Sequence, residues 1–366
     1  FAAGASYREL DYQFTTDNLT SYGRSFLDQA IGIYPSSNTD AYMDVRELYG
    51  ELLIPVLRDL PLINRFDLEL GGRMSDYSST GTSYTFKILG DWEVTDWLRF
   101  RGGYNRAERA PNLAELYLSP QQSFGVDTVG DLCSTRLQNP SSANPTTNPD
   151  GAADVKAACL ALMTRDNNGV AVPETDFFSY YGPIWSPFQP IGGGFSFSSA
   201  VGNQTYRQTI DDGIDALKPE VAHTWTVGTV IQSPVASGPL SRLQLSVDYF
   251  NIKVEDPIGL LSVGAMQQLC LDSTYNPAIN GAAGPDGIAG TADDTAAAAI
   301  ATAACDQVAR SPSTGFGALN SNAMTTTYRN DGVVKLSGID AQLSWSGEVG
   351  PGMLFTNITG SYMLDF

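Results

Sequence analysis

The stretch YTFKILGDWEVTDWLRFRGGYNRAERAPNLAELY, Tyr84 to Tyr117, decides the fold. Its first half alternates between two faces, one of which carries Tyr84, Phe86, Ile88, Gly90 and Trp92. After a polar turn at residues 93–96, a second alternating run sets Leu98, Phe100, Gly102 and Tyr104 against Arg99, Arg101, Gly103 and Asn105. Period-two alternation over such lengths predicts a two-faced antiparallel hairpin. The aromatic face would meet a second sheet in a sandwich, or lipid in a membrane barrel.

The same alternation recurs and predicts nine strands in an all-β antiparallel meander, at residues 1–14, 42–56, 63–77, 84–92, 98–108, 220–231, 241–255, 338–345 and 354–366. Pro55 is expected to end the second strand because proline cannot donate to a ladder. The phase slips at Tyr249-Phe250, which predicts a β-bulge. Connections near 58–62 and 93–96 are short, whereas those at 15–41 and 109–220 are long. The long connections fall at one end of the sheet, as in outer-membrane barrels.

Composition limits the function classes. The chain has 366 residues, 42% hydrophobic content and a net charge of −19, so the basic surface that nucleic acid requires is not expected. The sequence contains no stretch of 18 uncharged apolar residues, so no transmembrane helix is predicted. Barrel strands need only about 9–11 residues each, and only half of these must be apolar.

Two insertions interrupt the strand pattern, at residues 109–220 and 256–326, and each holds two of the four cysteines. Four cysteines allow three pairings, and locality favours Cys133 with Cys159 and Cys270 with Cys305. Free thiols in a cytosolic protein are the alternative. The cysteines lack the CxxC spacing that is typical of a zinc site. Helices are predicted near 25–31, at 152–163, at 263–271 and over 295–308.

The segment RAPNLAELY, Arg109 to Tyr117, resembles the strand-to-loop motif of TonB-dependent outer-membrane receptors. Glu108 departs from the family, which often has phenylalanine there. Three further segments are similar to the same family, at Val45–Leu57, Ala216–Gly228 and Val247–Ile258. Together these matches cover much of the strand-forming part of the chain.

The resemblance implies a transmembrane β-barrel in the cell outer membrane, with residues 1–366 forming part of one barrel domain and the two insertions forming external loops. Nine strands are an odd number and fewer than the roughly 22 of plugged transporters, so a fragment without its plug domain is expected. The implied function is TonB-energised uptake of a ferric siderophore, a cobalamin or an oligosaccharide. Outer-membrane lipid and the TonB complex, reached through the plug, are the implied partners. A passive porin and a secreted β-rich adhesin or polysaccharide hydrolase are the alternatives.

Two groups of side chains are candidates for ligand contact. The first is an aromatic run in the first insertion, which would line an external vestibule or pack the loop onto itself: Tyr180, Tyr181, Trp185 and Phe188. The second is an arginine cluster, Arg99, Arg101, Arg106 and Arg109, which would face the lumen and contact the plug or guide an anionic substrate. Salt bridges to neighbouring strands, for instance to Asp67 and Glu69, are the alternative.

Metal and catalytic chemistry have weaker signals. Asp286, Asp293 and Asp294 stand among glycines and would hold calcium in a turn, but their spacing matches no EF-hand. His223, the only histidine, is expected on a strand surface. No nucleophile elbow, Walker A or dinucleotide motif is present in the sequence, so neither an enzyme nor a resident cofactor is expected.

Overall fold

The computed structural model describes residues 1–17, 37–127, 129–135, 137–166, 168–171, 194–209, 215–311, 318–319 and 325–365. Its strands are β1 (Ala2–Phe14), β2 (Thr39–Leu60), β3 (Ile63–Tyr77), β4 (Gly81–Thr95), β5 (Leu98–Arg109), β6 (Gln121–Asp127), β7 (Gly194–Val201), β8 (Glu220–Gln232), β9 (Leu243–Glu255), β10 (Ile258–Leu260), β11 (Arg310–Ser311), β12 (Ala318–Leu319), β13 (Thr325–Asn330), β14 (Val333–Val349) and β15 (Gly352–Asp365). Its α-helices are α1 (Leu113–Tyr117), α2 (Ala152–Asp166), α3 (Asn203–Thr209), α4 (Val263–Leu271), α5 (Ala296–Ala299) and α6 (Ala303–Asp306).

Nine of the described strands form one antiparallel sheet in the order β1-β2-β3-β4-β5-β8-β9-β14-β15. This confirms the predicted meander. The sheet is open, with β1 and β15 at its ends. A smaller sheet of order β10-β13-β7-β6 joins strands from both insertions. The sequence did not predict these short strands.

The connections differ between the two ends of the large sheet. At one end they are short, at residues 61–62, 96–97 and 350–351, with a longer one at 233–242. At the other end lie residues 15–38, 110–219 and 256–332, together with the short link at 78–80. The predicted asymmetry is therefore confirmed, and both insertions emerge at the same end of the sheet.

The large sheet has one apolar and one polar face because its strands alternate. On the apolar face, large side chains are exposed, including Leu48 (56%), Trp225 (58%) and Val227 (64%). Trp92 and Phe100 lie opposite each other across β4 and β5, with ring centroids 5.6 Å apart. These side chains do not fill a protein interior, which agrees with a face that meets lipid.

Two predictions about strand irregularities are wrong. β2 continues through Pro55 to Leu60, with a register shift between Pro55 and Leu57. β1 pairs with β2 only as far as Glu51, so Pro55 forfeits no hydrogen bond on that side. No bulge occurs at Tyr249-Phe250, where the pairing of β8 with β9 is continuous. An aromatic residue simply occupies each face in turn there.

Two of the four helix predictions are confirmed. α2 covers the predicted 152–163 and adds three residues, and α4 has the predicted bounds. The single helix expected over 295–308 is instead two one-turn helices, α5 and α6. Thr302 interrupts it because its side chain accepts a hydrogen bond from the Cys305 amide and starts α6 anew. The helix predicted near 25–31 lies outside the described residues.

The largest buried core lies in the insertions and not in the sheet. We call this body the cap, and define it as the described residues within 129–171 and 261–311. Leu132, Leu162 and Met163 from the first insertion pack with Met266 and Leu271 from the second, all fully buried. The two insertions therefore share one hydrophobic core, although core residues such as Met163 and Met266 are about a hundred positions apart in sequence.

Candidate functional site

The polar face of the sheet is lined by compensated charges. Arg99 donates from Nε to Asp91 Oδ1 at 2.9 Å, and Arg101 forms a bidentate pair with Asp248 at 2.7 and 2.8 Å. Both arginines lie on β5, and their carboxylate partners come from the adjacent strand β4 and from β9, which lies beyond β8. The alternative prediction, that these arginines form salt bridges to other strands, is therefore confirmed for Arg99 and Arg101.

The named carboxylates differ from those expected. Asp67 pairs with Arg58 at 2.9 Å and with Arg65 at 3.4 Å, and Glu69 pairs with Lys87 at 2.6 Å. Sequence distance gave no basis for the true partners, because strand register decides which carboxylate lies beside which arginine.

Arg106 lies on the opposite face from Arg99 and Arg101, so the expectation that it faces the lumen is wrong. It pairs directly with Phe86 of β4 and with His223 of β8. Even-numbered positions in β5 belong to the aromatic face, and Arg106 follows that parity. Its guanidinium lies 2.5 Å from Glu108 and donates to the carbonyl of Tyr84.

Arg109 is the centre of a clasp at the cap end of β5. Its Nε donates to Glu220 Oε1 at 2.7 Å, and its Nη1 donates to Glu115 at 3.0 and 3.1 Å. Glu220 also accepts the amide of Ile258 at 2.9 Å. One guanidinium therefore joins the ends of β5 and β8 to α1, and through Glu220 to the start of the second insertion.

The motif that carries the family resemblance explains how α1 forms. Asn112 accepts from the Glu115 amide at 2.9 Å, and the Glu115 carboxylate accepts from the Asn112 amide at 2.7 Å. This reciprocal capping box satisfies two amides that a helix start leaves free. Leu113 (8% exposed) packs against Ala41 and Met43 of β2. The motif thus anchors the first insertion to the sheet.

Both disulfides join the cysteines that locality favoured, Cys133 to Cys159 and Cys270 to Cys305. Within the described residues no free cysteine remains. Each bridge closes a loop inside one insertion, of 26 and 35 residues respectively. All four sulfurs belong to residues that are fully buried in the shared core of the cap.

Polar contacts bind the two insertions across the cap. Arg310 and Asp131 form an ion pair with both side chains almost fully buried (0% and 1% exposed), at 2.7 and 2.8 Å. Buried Gln267 accepts from the Leu132 amide at 3.2 Å and donates to the Gly130 carbonyl at 3.1 Å. Arg165 donates to the Val308 carbonyl at 2.8 Å. These contacts fix how the insertions sit against each other, and the sequence gave no sign of them.

The predicted aromatic residues Tyr180, Tyr181, Trp185 and Phe188 lie outside the described residues. Their role in ligand contact remains a prediction.

The three aspartates proposed for calcium lie close together around Thr291. Its hydroxyl donates to Asp293 Oδ1 at 2.7 Å and lies 3.4 Å from an oxygen of both Asp286 and Asp294. The Thr291 hydroxyl holds the pKa of Asp293 below its usual range. Asp286 and Asp294 also accept amides of the loop, from Ile288 at 2.8 Å and Gly290 at 2.9 Å. The carboxylates therefore stabilise the turn itself.

Two negative findings concern the described residues only. No group of three or more His, Cys, Asp or Glu side chains among them is placed to hold a metal ion. No helix in this part of the chain is both long and apolar enough to cross a membrane.

The chain is similar to known proteins in sequence and in fold. The chain is 31% identical over 107 residues to heme/hemopexin utilization protein C of Haemophilus influenzae, which covers 29% of this chain and 14% of that protein. Among solved structures it is similar to the siderophore receptor PirA of Acinetobacter baumannii, with 16% identity and a TM-score of 0.45. It is also similar to the ferric enterobactin receptor PfeA of Pseudomonas aeruginosa in complex with BCV-L6, with 13% identity and a TM-score of 0.47. Each structural match covers 99% of this chain and 33% of the receptor.

The family assignment rests on a family model. The model described as TonB dependent receptor-like, beta-barrel matches residues 1–158 and 172–365, nearly all of the chain. The chain spans about a third of the solved receptors that it resembles. The family consists of outer-membrane receptors and transporters and not of enzymes, which argues against the porin, adhesin and hydrolase alternatives. This chain belongs to the TonB-dependent receptor-like β-barrel family of the outer membrane.

Proposed function

We propose that the whole protein is an outer-membrane receptor that takes up an iron-carrying small molecule, a ferric siderophore or haem, using energy from TonB. The observation that carries the proposal is the family match along almost the entire chain. Haem is included as a candidate ligand because the Haemophilus influenzae relative is a heme/hemopexin utilization protein. Cobalamin and oligosaccharide are further ligands that the same experiment tests.

The cap supports a role in ligand capture. It lies at the end of the sheet where both insertions emerge. A shared core, two disulfides and a buried ion pair give it the order that a binding surface needs. A preorganised protein surface loses little conformational entropy when a ligand binds, so binding costs less free energy there.

We assign ligand contact to the aromatic residues of the first insertion, Tyr180, Tyr181, Trp185 and Phe188. Aromatic rings offer flat contact surface to chelates and porphyrins. Arg109 also remains a candidate, although both of its carboxylate partners compete with any ligand. The TonB complex would act through a plug domain.

Uptake in a deletion strain tests the proposal. The strain is complemented with the full-length gene and supplied with single ferric siderophores, haem, cobalamin or oligosaccharides. We expect rescue on an iron source, and loss of rescue when TonB is deleted. Equal uptake with and without TonB would contradict the proposal and support passive diffusion.

A triple variant tests the aromatic residues. Tyr180→Ala, Tyr181→Ala and Trp185→Ala together should weaken ligand binding at normal surface expression. Tyr275→Ala serves as the control because Tyr275 is an exposed aromatic residue of the cap (58%) outside that segment. Unchanged affinity of the triple variant would end the assignment of these residues.

A further inference from the structure

Four basic side chains form a continuous row across the apolar face of the sheet. Arg106 of β5 pairs directly with His223 of β8, His223 with Lys253 of β9, and Lys253 with Lys335 of β14. Directly opposed residues in antiparallel strands project from the same face. Because Arg106 lies on the aromatic face, the whole row does. We call these four residues the basic row.

The basic row lies at the border between the apolar belt and the cap end of the sheet. One step towards the short turns stand Tyr104 and Trp225, with ring centroids 4.7 Å apart. A further step brings Val227 (64% exposed) opposite Tyr249 (37% exposed). Outer-membrane barrels carry aromatic residues at the edges of their apolar band, so the basic row lies at the height of lipid headgroups.

This arrangement of like charges is costly in isolation. Like charges placed directly opposite each other destabilise a strand pair, and Lys253 and Lys335 are opposed in this way. The chain has a net charge of −19, so its composition does not force basic residues together. An anionic partner would turn the repulsion into attraction.

Carboxylates of the protein compensate only part of the basic row. Glu108 lies 2.5 Å from Arg106, and Glu255 lies 2.5 Å from Lys253 and 3.7 Å from the His223 ring. Lys335 is exposed, and no ion pair joins it to a carboxylate in the part of the chain that the structure describes. Three permanent cations therefore face two carboxylates, with the excess at Lys335.

We propose that the basic row binds the phosphate groups of an anionic glycolipid in the outer leaflet of the outer membrane. Ammonium and guanidinium groups bind phosphate oxygens through charge-assisted hydrogen bonds. The exposed aromatic and aliphatic side chains next to the row would contact the acyl chains of the same lipid. The inference depends on the membrane location of the family and not on the identity of the transported ligand.

Thermal unfolding of the full-length receptor in neutral detergent tests the proposal, with lipid A as the diphosphorylated glycolipid probe. Lipid A should raise the Tm of the wild type by several degrees, and added salt should reduce the gain. Lys253→Gln with Lys335→Gln should remove most of this gain. Without lipid the same variant should keep a Tm close to that of the wild type, because loss of the Lys–Lys repulsion offsets loss of the Lys253–Glu255 ion pair. Failure to fold is therefore not the expected reason for the loss.

Three controls decide the outcome. Lys156→Gln with Lys218→Gln removes the same charge outside the sheet and should keep the full lipid A response. Dephosphorylated lipid A should give little stabilisation, and so should inorganic phosphate, because only the intact lipid supplies both phosphate and acyl chains. Equal responses of the two double variants to lipid A would overturn the proposal. A response to inorganic phosphate as large as that to lipid A would also overturn it.

Discussion

The sheet and the cap bury apolar surface in opposite ways. The sheet leaves Leu48, Trp225 and Val227 exposed on one face, whereas the cap encloses Leu132, Leu162 and Met266 completely. The sheet is held by long ladders between neighbouring strands, and the cap by two disulfides and a buried ion pair. One chain thus contains a part built for lipid and a part built for water.

The difference shows why the two regions need different supports. A β-strand in a bilayer satisfies its backbone groups through its neighbours and its apolar side chains through lipid. The cap consists of connections between strands, its longest helix has 15 residues, and it must form a core in water from small segments. Disulfides are the usual reinforcement for small units of this kind outside the cytosol.

The largest expected effect concerns the buried ion pair of the cap. Arg310→Met leaves the buried Asp131 carboxylate without its cationic partner, although the Cys133 amide still donates to it at 3.0 Å. The substitution should destabilise the cap by about 3–5 kcal/mol. Limited proteolysis should then cut within the cap while the sheet stays folded. Asp131→Asn combined with Arg310→Met should recover much of the loss, since no isolated charge remains. Equal protease resistance of wild type and Arg310→Met would show that the pair does not hold the insertions together.

The next effect separates the two faces of the sheet. Val227→Arg places a charge in the apolar belt and should cost about 2–4 kcal/mol in a bilayer. Thr226→Arg is the matched control, because Thr226 is the adjacent exposed residue on the polar face. Folding yield into lipid vesicles measures both. Similar yields for the two variants would contradict the assignment of the faces.

Removing a disulfide should affect only the cap. Cys270→Ala with Cys305→Ala opens a 35-residue loop and should cost about 2–4 kcal/mol. Ligand binding should weaken, while barrel assembly measured by heat-modifiable gel mobility should not change. The corresponding variant of Cys133 and Cys159 provides a second test within the other insertion. A loss of barrel assembly in either variant would mean that the two regions are not independently supported.

The smallest effect concerns the capping box of α1, where the first insertion leaves the sheet. Asn112→Ala removes one half of the capping box and should cost about 1 kcal/mol. Asn112→Ser keeps a capping oxygen and should retain most of the stability. Hydrogen exchange of the Glu115 amide reports the change, because this amide donates to Asn112. Unchanged exchange in the alanine variant would show that the Asn112 side chain does not limit opening of α1.

Much of the sheet was predictable because alternation is a local property of the sequence. The run from Tyr84 to Tyr104 fixed two strands and the turn between them, and the structure agrees. The disulfide pairs were predictable because each cysteine lies near its partner in sequence. Arg106 was misplaced because it was grouped with its neighbours in sequence and not by its parity along β5.

The contacts that build the cap were not predictable from one sequence. Asp131 and Arg310 are 179 residues apart, and no periodic signal relates them. Of the two carboxylate partners of Arg109, one was predictable from the sequence and the other was not. Glu115 stands three residues after Asn112 in a readable capping box, whereas Glu220 lies 111 residues away. The basic row likewise emerges only from the register of four strands.

Spin-label accessibility along β8 tests most directly whether the apolar face meets hydrocarbon. Single cysteines at positions 226–231 of the bilayer-embedded receptor are labelled and exposed to oxygen, which concentrates in lipid, and to a water-soluble nickel complex. We predict alternation with a period of two, in which positions 227, 229 and 231 favour oxygen and positions 226, 228 and 230 do not. Low accessibility to both reagents at 227, 229 and 231 would mean that protein covers this face, and would contradict the account.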